Sequence, residues 1–227
     1  MVKAFVFDLD GTIVDTEKAI FQAYKEALKL YDFELTEDVW AKYVGGVGTP
    51  TFICEHVENV TGKEVDIEKT IAYGETVLRD LIKKERPLPG VIELLEEAKR
   101  EGIKIALATN SNKKWATTHL TNLHLLDYFD ELLTVDQVLR PKPHPEIYVK
   151  AVHSLGVAPI EAIAFEDSVI GSKAAVAAGL HTVAIPSTLM KEENFAHTHL
   201  QLPSLANTDV KQLTNLFQSA KYKRKIS

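Results

Sequence analysis

The sequence predicts an α/β protein, a Rossmann-like parallel sheet core with an inserted helical cap domain, on three observations. Short apolar runs near 3–8, 103–109, 131–135, 162–166 and 181–185 alternate with helix-length amphipathic stretches. That alternation is the pattern of βαβ units, whose strands lie parallel. Between Asp15 and about Arg86 the periodicity becomes helical with no convincing strand. Finally, apolar runs stop abruptly at polar clusters beginning with Asp8, Thr109 and Glu166, and the carboxyl ends of strands are where an open α/β sheet builds its ligand site.

The elements follow in order. Residues 2–7 form an apolar run that stops at DLDGT, residues 8–12. Strand alternation sends Asp8 and Asp10 to the same side, with Gly11 and Thr12 turning the chain away. Two carboxylates that close coexist only if a cation sits between them or one of them stays protonated. Helical patterns then cover 17–28, 37–44, 50–60 and 67–84, and PLPG at 87–90 marks the return to the core. The expected division is therefore 1–15 and 86–227 as catalytic core, with 16–85 as cap. The run from Ile103 ends in Thr109, Asn110, Ser111 and Asn112, followed by a polar helix start at Lys113. A hydroxyl and exposed N–H groups at a strand end and helix N-terminus can seat phosphate oxygens. Lys142 stands between Pro141 and Pro143, with Pro145 beyond; the fixed φ angles present its ammonium with little freedom left to lose. Residues 162–165 are apolar and end at Glu166 and Asp167, before a small-residue helix running through Gly171, Ala174, Ala175, Ala177 and Ala178 to Gly179. A last helix near 208–219 is expected to pack back on the sheet.

Composition sets limits. The chain has 227 residues, 45% hydrophobic and 26% charged, which suits a soluble globular core carrying one insertion. Cys54 is the only cysteine, so no intrachain disulfide can form and a reducing compartment is the natural home. Asp8 interrupts the first apolar run too early for a signal peptide, and no run approaches transmembrane length; a cytoplasmic location and no membrane partner are expected. A formal net charge of −6 argues against nucleic acid, whose binding rests on many Lys and Arg phosphate contacts. The basic stretch at 222–226 reads as a solvated terminus. GGVG at 45–48 follows no strand and reads as a cap turn. There is no GxxxxGK[ST] loop and no GxSxG elbow, which removes P-loop and α/β-hydrolase chemistry. His197 and His199 lack a third metal ligand at suitable spacing.

Taken in order, DLDGT at 8–12, Thr109 at a strand end, Lys142 among prolines, and Glu166 with Asp167 resemble the four motifs of the haloacid dehalogenase superfamily of magnesium-dependent aspartyl phosphatases and phosphomutases. The resemblance implies that Asp8 is the nucleophile and Asp10 the general acid and base. It implies that Thr109, Asn110 and Lys142 bind the phosphoryl group. Mg²⁺ is expected on Asp8, the Asp10 backbone carbonyl, Asp167 and, directly or through water, Glu166. VDTE at 14–17 and the Glu166–Asp167–Ser168 run are similar to the β-phosphoglucomutase and small-metabolite phosphatase branch. There the mutase cap His falls at Ile20 and the cap-loop Arg near Thr49. Hydrolysis of a small sugar-phosphate-like phosphomonoester is therefore expected, with phosphomutase the alternative. Dehalogenases of the superfamily lack the second Asp and need no magnesium. A non-catalytic relative would be expected to have lost Asp8 or Asp167, and both are present. A monomer or weak homodimer is expected.

Overall fold

A computed structural model describes residues 1–40, 49–186 and 195–218. By its contacts the chain divides into two compact units, Met1–Val14 with Arg86–Ser227, and Asp15–Glu85. In chain order the elements are β1 (Ala4–Phe7), α1 (Thr16–Leu28), α2 (Glu37–Trp40), α3 (Thr49–Thr61), α4 (Ile67–Ile82), α5 (Val91–Arg100), β2 (Lys104–Ala108), α6 (Lys113–Asn122), β3 (Glu131–Leu133), α7 (Glu146–Ser154), β4 (Ala162–Glu166), α8 (Val169–Ala177), β5 (His181–Ala184), β6 (Leu200–Gln201) and α9 (Val210–Gln218).

Among the described residues all strands lie in the first unit, in one six-stranded sheet of order β3-β2-β1-β4-β5-β6. Every pairing is parallel. The chain builds outward from β1 through β2 and β3, then returns to the other side of β1 as β4. Strand order reverses there, and the carboxyl ends of β1, β2 and β4 flank the crevice where such sheets bind ligands. Phe5 sits between Ile105 and Ile163 in register.

The two faces of the sheet differ. Phe5, Phe7, Ile105, Leu107, Ile163 and Phe165 pack with the apolar sides of α5, α6 and α9. On the other face Ala4, Val6, Ala106, Ala108, Ala162 and Ala164 meet α7 and α8. Small side chains here let those two helices sit close to the strands that carry the site. Helix α5 buries Val91, Leu94, Leu95 and Ala98, a spacing that turns one stripe inward. Each fully buried Leu of that stripe contributes about 1.5–3 kcal/mol.

The second unit is helical. Asp15 caps α1 by accepting from the Lys18 N–H at 3.2 Å. Asp66 caps α4 in the same way through Lys69. Tyr24, Leu28, Trp40, Ile53, Cys54, Val57 and Leu78 are buried, and Gly74 leaves room for the Tyr24 ring on the facing helix.

Two details differ from the sequence pattern. The strand expected over 131–135 stops at Leu133, because Thr134 and Gln137 form a capping box that closes a 3₁₀ turn at Val135–Gln137. Strand β6 was not anticipated; two residues carry no readable alternation. Residues 41–44 of the expected 37–44 helix, the 45–48 turn and the basic 222–226 tail lie outside the described residues.

Candidate active site

The site grows from the ends of three adjacent strands. Asp8 follows β1 directly, and its N–H donates to the Phe165 carbonyl of β4 at 3.0 Å. Glu166 is the last residue of β4 and is fully buried, while Ala108 ends β2. Lys142 reaches all three. Its Nζ donates to Asp8 Oδ1 at 2.5 Å, to Glu166 Oε1 at 2.7 Å and to the Ala108 carbonyl at 2.7 Å. Below it, Tyr148 on α7 donates its hydroxyl to Glu166 Oε1 at 2.5 Å, and the ammonium lies 5.0 Å from the Tyr148 ring centroid. Asn110 holds the Lys142 main chain from both sides, accepting its N–H at 2.9 Å and donating to its carbonyl at 3.3 Å.

The acids around Lys142 lie close together. Ligand-capable oxygens of Asp8, Glu166 and Asp167 lie within 4.8 Å of one another, and all three residues are buried. Burial pushes the Asp8 carboxyl up to about 8, with Glu166 and Asp10 adding to the rise against the pull of Lys142. Burial also acts to lower Lys142, but Asp8 and Glu166 overcome it and hold the ammonium above its ordinary value. Tyr148 is held well above its usual range by burial and then by Glu166. Three buried acids thus offer clustered hard oxygens beside the Lys142 ammonium. That donor set fits a small divalent cation such as Mg²⁺.

Two glycines permit this crowding. Gly11 has φ +79°, and a Cβ there would fall on the Asp167 carboxylate. Gly171, in the first turn of α8, faces Glu166 so closely that a Cβ would fall on its carboxylate.

The Asp10 carboxylate has donors of its own. Its Oδ2 accepts the Ser111 hydroxyl at 2.6 Å, and its Oδ1 accepts the Trp115 indole N–H at 2.9 Å. The DxD pair thus diverges: Asp8 turns to Lys142, and Asp10 turns to the first turn of α6. Like charge alone favours that separation. Thr109, nearly fully buried, accepts the Ser111 N–H at 3.0 Å through Oγ1.

The family described as haloacid dehalogenase-like hydrolase matches residues 5–185, which include every residue named above. The chain belongs to that family. Among haloacid dehalogenase-like relatives, YhcW of Bacillus subtilis is 36% identical over 220 residues, covering 96% of this chain and 99% of that protein. A phosphorylated carbohydrates phosphatase of Thermotoga maritima is 36% identical over 190 residues, 80% of this chain and 84% of the relative. The crystal structure of CbbY from Rhodobacter sphaeroides in complex with phosphate superposes with a TM-score of 0.80 at 27% identity, covering 94% of this chain and all of that one.

The ends of β1 and β4 bring Asp8, Glu166 and Asp167 together with Lys142 from the loop before α7, and Thr109 and Asn110 lie on the loop after β2. Asn110 spends its amide on the Lys142 main chain, so it shapes the lysine loop. Ile20 sits on α1, half-buried; the side chain of Thr49 lies outside the described residues. Reading the sequence missed Tyr148 and Trp115. Tyr148 closes the proline-rich run at 140–148, and the inward spacing of 147, 148, 151 and 152 on α7 is the signal that it faces the core. Nothing in the sequence links Trp115 to Asp10, 105 residues away.

Proposed function

We propose that this protein is a Mg²⁺-dependent phosphatase that hydrolyses a small phosphorylated metabolite of the sugar phosphate kind through an aspartyl phosphate on Asp8. The observation that carries the reading is the buried group of Asp8, Glu166 and Asp167 at the strand-order reversal, with Asp10 turned onto separate partners. Support comes from family membership, from the Thermotoga relative named for phosphorylated carbohydrates, and from the phosphate complex of CbbY.

The residues divide the chemistry. Asp8, Asp167, the Asp10 carbonyl and Glu166 would hold the cation. When bound, Mg²⁺ would draw charge from the phosphoryl oxygens and keep Asp8 ionised. The Asp8 carboxylate attacks phosphorus, the bond from phosphorus to the alcohol oxygen breaks, and Asp10 gives its proton to that oxygen. In the second half Asp10 takes a proton from water, whose oxygen attacks phosphorus; the bond to Asp8 breaks and inorganic phosphate leaves. Thr109 Oγ1 already accepts from Ser111, so its hydroxyl hydrogen is available to a phosphoryl oxygen. Lys142 supplies positive charge beside the attacking carboxylate and orients it. Tyr148 and Asn110 hold that lysine and Glu166 in place. Residues 15–85 are assigned the choice of alcohol, as a cap. A cytoplasmic location and a monomeric or weakly dimeric state complete the reading, and Cys54, buried with its thiol pushed up to about 11 by burial, suits a reducing setting.

The test is phosphate release across a panel of phosphomonoesters with Mg²⁺ and with excess chelator. Release that needs the metal and disappears in Asp8→Asn is expected. Turnover undiminished in chelator or in Asp8→Asn overturns the mechanism.

A further inference from the structure

Resting on that reading, we propose that Trp115 is a positioning residue for the general acid and base, aiming the Asp10 carboxyl at the leaving oxygen. Both carboxyl oxygens of Asp10 are taken by donors from one stretch of chain, Ser111 at 2.6 Å and Trp115 Nε1 at 2.9 Å. A carboxyl held by one donor can still swing about it; held by two on different oxygens, it has a single orientation.

The indole is itself fixed. Asn112 caps α6 by accepting the Trp115 backbone N–H at 2.8 Å, and the preceding turn is tied down by the Lys113 N–H on Asp136 Oδ2 at 2.7 Å. One turn later the fully buried His119 packs against the Trp115 ring, with centroids 4.3 Å apart. Helix start and i,i+4 neighbour thus direct Nε1 across to the DLDGT turn. A phenyl ring would fill much of the same space and donate nothing.

An apolar role for Trp115 in the packing of α6 is the alternative, and leaving-group chemistry separates the two. A sugar phosphate expels an alkoxide and needs the proton of Asp10 for phosphoryl transfer to Asp8. p-Nitrophenyl phosphate expels a stable phenolate and does not. The ratio of kcat/KM for the two substrates therefore reads the aim of Asp10 and is insensitive to a general loosening of α6, which would slow both.

Wild type, Trp115→Phe and Ser111→Ala, full-length and with Mg²⁺, are compared on p-nitrophenyl phosphate and on the fastest sugar phosphate of a panel. Each variant is expected to lose about 10- to 100-fold in kcat/KM on the sugar phosphate and no more than about 3-fold on the aryl ester, from the usual weight of proton transfer and orientation. Equal losses on both substrates, or no loss on the sugar phosphate, overturn the proposal and leave the phosphatase reading standing. A wild type inert toward every phosphomonoester overturns the phosphatase reading, and the proposal falls with it. Ser111→Ala deletes one hydroxyl, so it keeps the test decisive if Trp115→Phe folds poorly.

Discussion

Gly171→Ala places two well-known tendencies in opposition, and the structure decides between them. On helix propensity alone the added methyl stabilises, by about 1 kcal/mol in a helix interior. Here the Cβ would fall on the Glu166 carboxylate, so that side chain must swing away. In doing so it leaves the Lys142 ammonium at 2.7 Å and the Tyr148 hydroxyl at 2.5 Å, in a site where Glu166 has no exposure to water. Breaking a buried, hydrogen-bonded charge pair typically costs about 3–5 kcal/mol. Subtracting the propensity gain leaves a net loss of about 2–4 kcal/mol. At about 2–4 °C per kcal/mol for a chain of this size, the melting temperature should fall by about 4–16 °C. Thermal denaturation in chelator measures this directly. A repeat in Mg²⁺ should show a smaller rise for the variant than for wild type, because Glu166 is one of the three clustered acids. A variant that melts at or above wild type would mean that Glu166 is not confined by Gly171, and the account of how α8 sets the site would be wrong.

Asp8→Asn should abolish turnover without lowering the melting temperature in chelator, since burial pushes the Asp8 carboxyl up to about 8 and so already disfavours its ion, and an amide oxygen can still accept from Lys142; a large drop would show that the Asp8–Lys142 pair holds the fold. Asp10→Asn should lose about 10²- to 10⁴-fold in turnover yet keep the Mg²⁺-dependent rise in melting temperature, and a lost rise would make its side chain a metal ligand. His181, on β5, is pushed down to about 4, first by burial and then by its neighbour His199. Its folded value lies below its unfolded one, so its contribution is complete above about pH 6.5 and is lost as the pH falls towards 4. Urea unfolding should therefore show about 2 kcal/mol less stability at pH 5 than at pH 7 from this group, and His181→Phe should flatten that slope. Finally, β-glucose 1-phosphate with catalytic glucose 1,6-bisphosphate should give free phosphate, because Ile20 cannot serve as a cap base; phosphorus NMR showing glucose 6-phosphate without phosphate release would favour the mutase.

The alternation of β1 to β5 with helices, and the positions of Asp8, Asp10, Thr109, Lys142, Glu166 and Asp167 along the chain, were legible in the amino-acid sequence. Each depends on local signals: an apolar run, its abrupt polar end, and turn or cap residues within a few positions. What those side chains touch was not legible. Alternation sent Asp8 and Asp10 to the same side, yet the folded chain gives Asp8 to Lys142, 134 residues on, and Asp10 to Ser111 and Trp115 more than 100 residues on. Asn110, expected at phosphate, clamps the lysine main chain, a contact no local signal announced. Tyr148 became part of the site only because α7 packs on the alanine face beneath β1 and β2. The sequence by itself therefore determined which residues follow β1 and β2 and which end β4, since strand periodicity and polarity are properties of neighbouring residues. Only the tertiary structure decided how the charges pair, because the sheet order brings together strand ends far apart in the chain, and burial there leaves each carboxylate dependent on whichever donors the packing supplies.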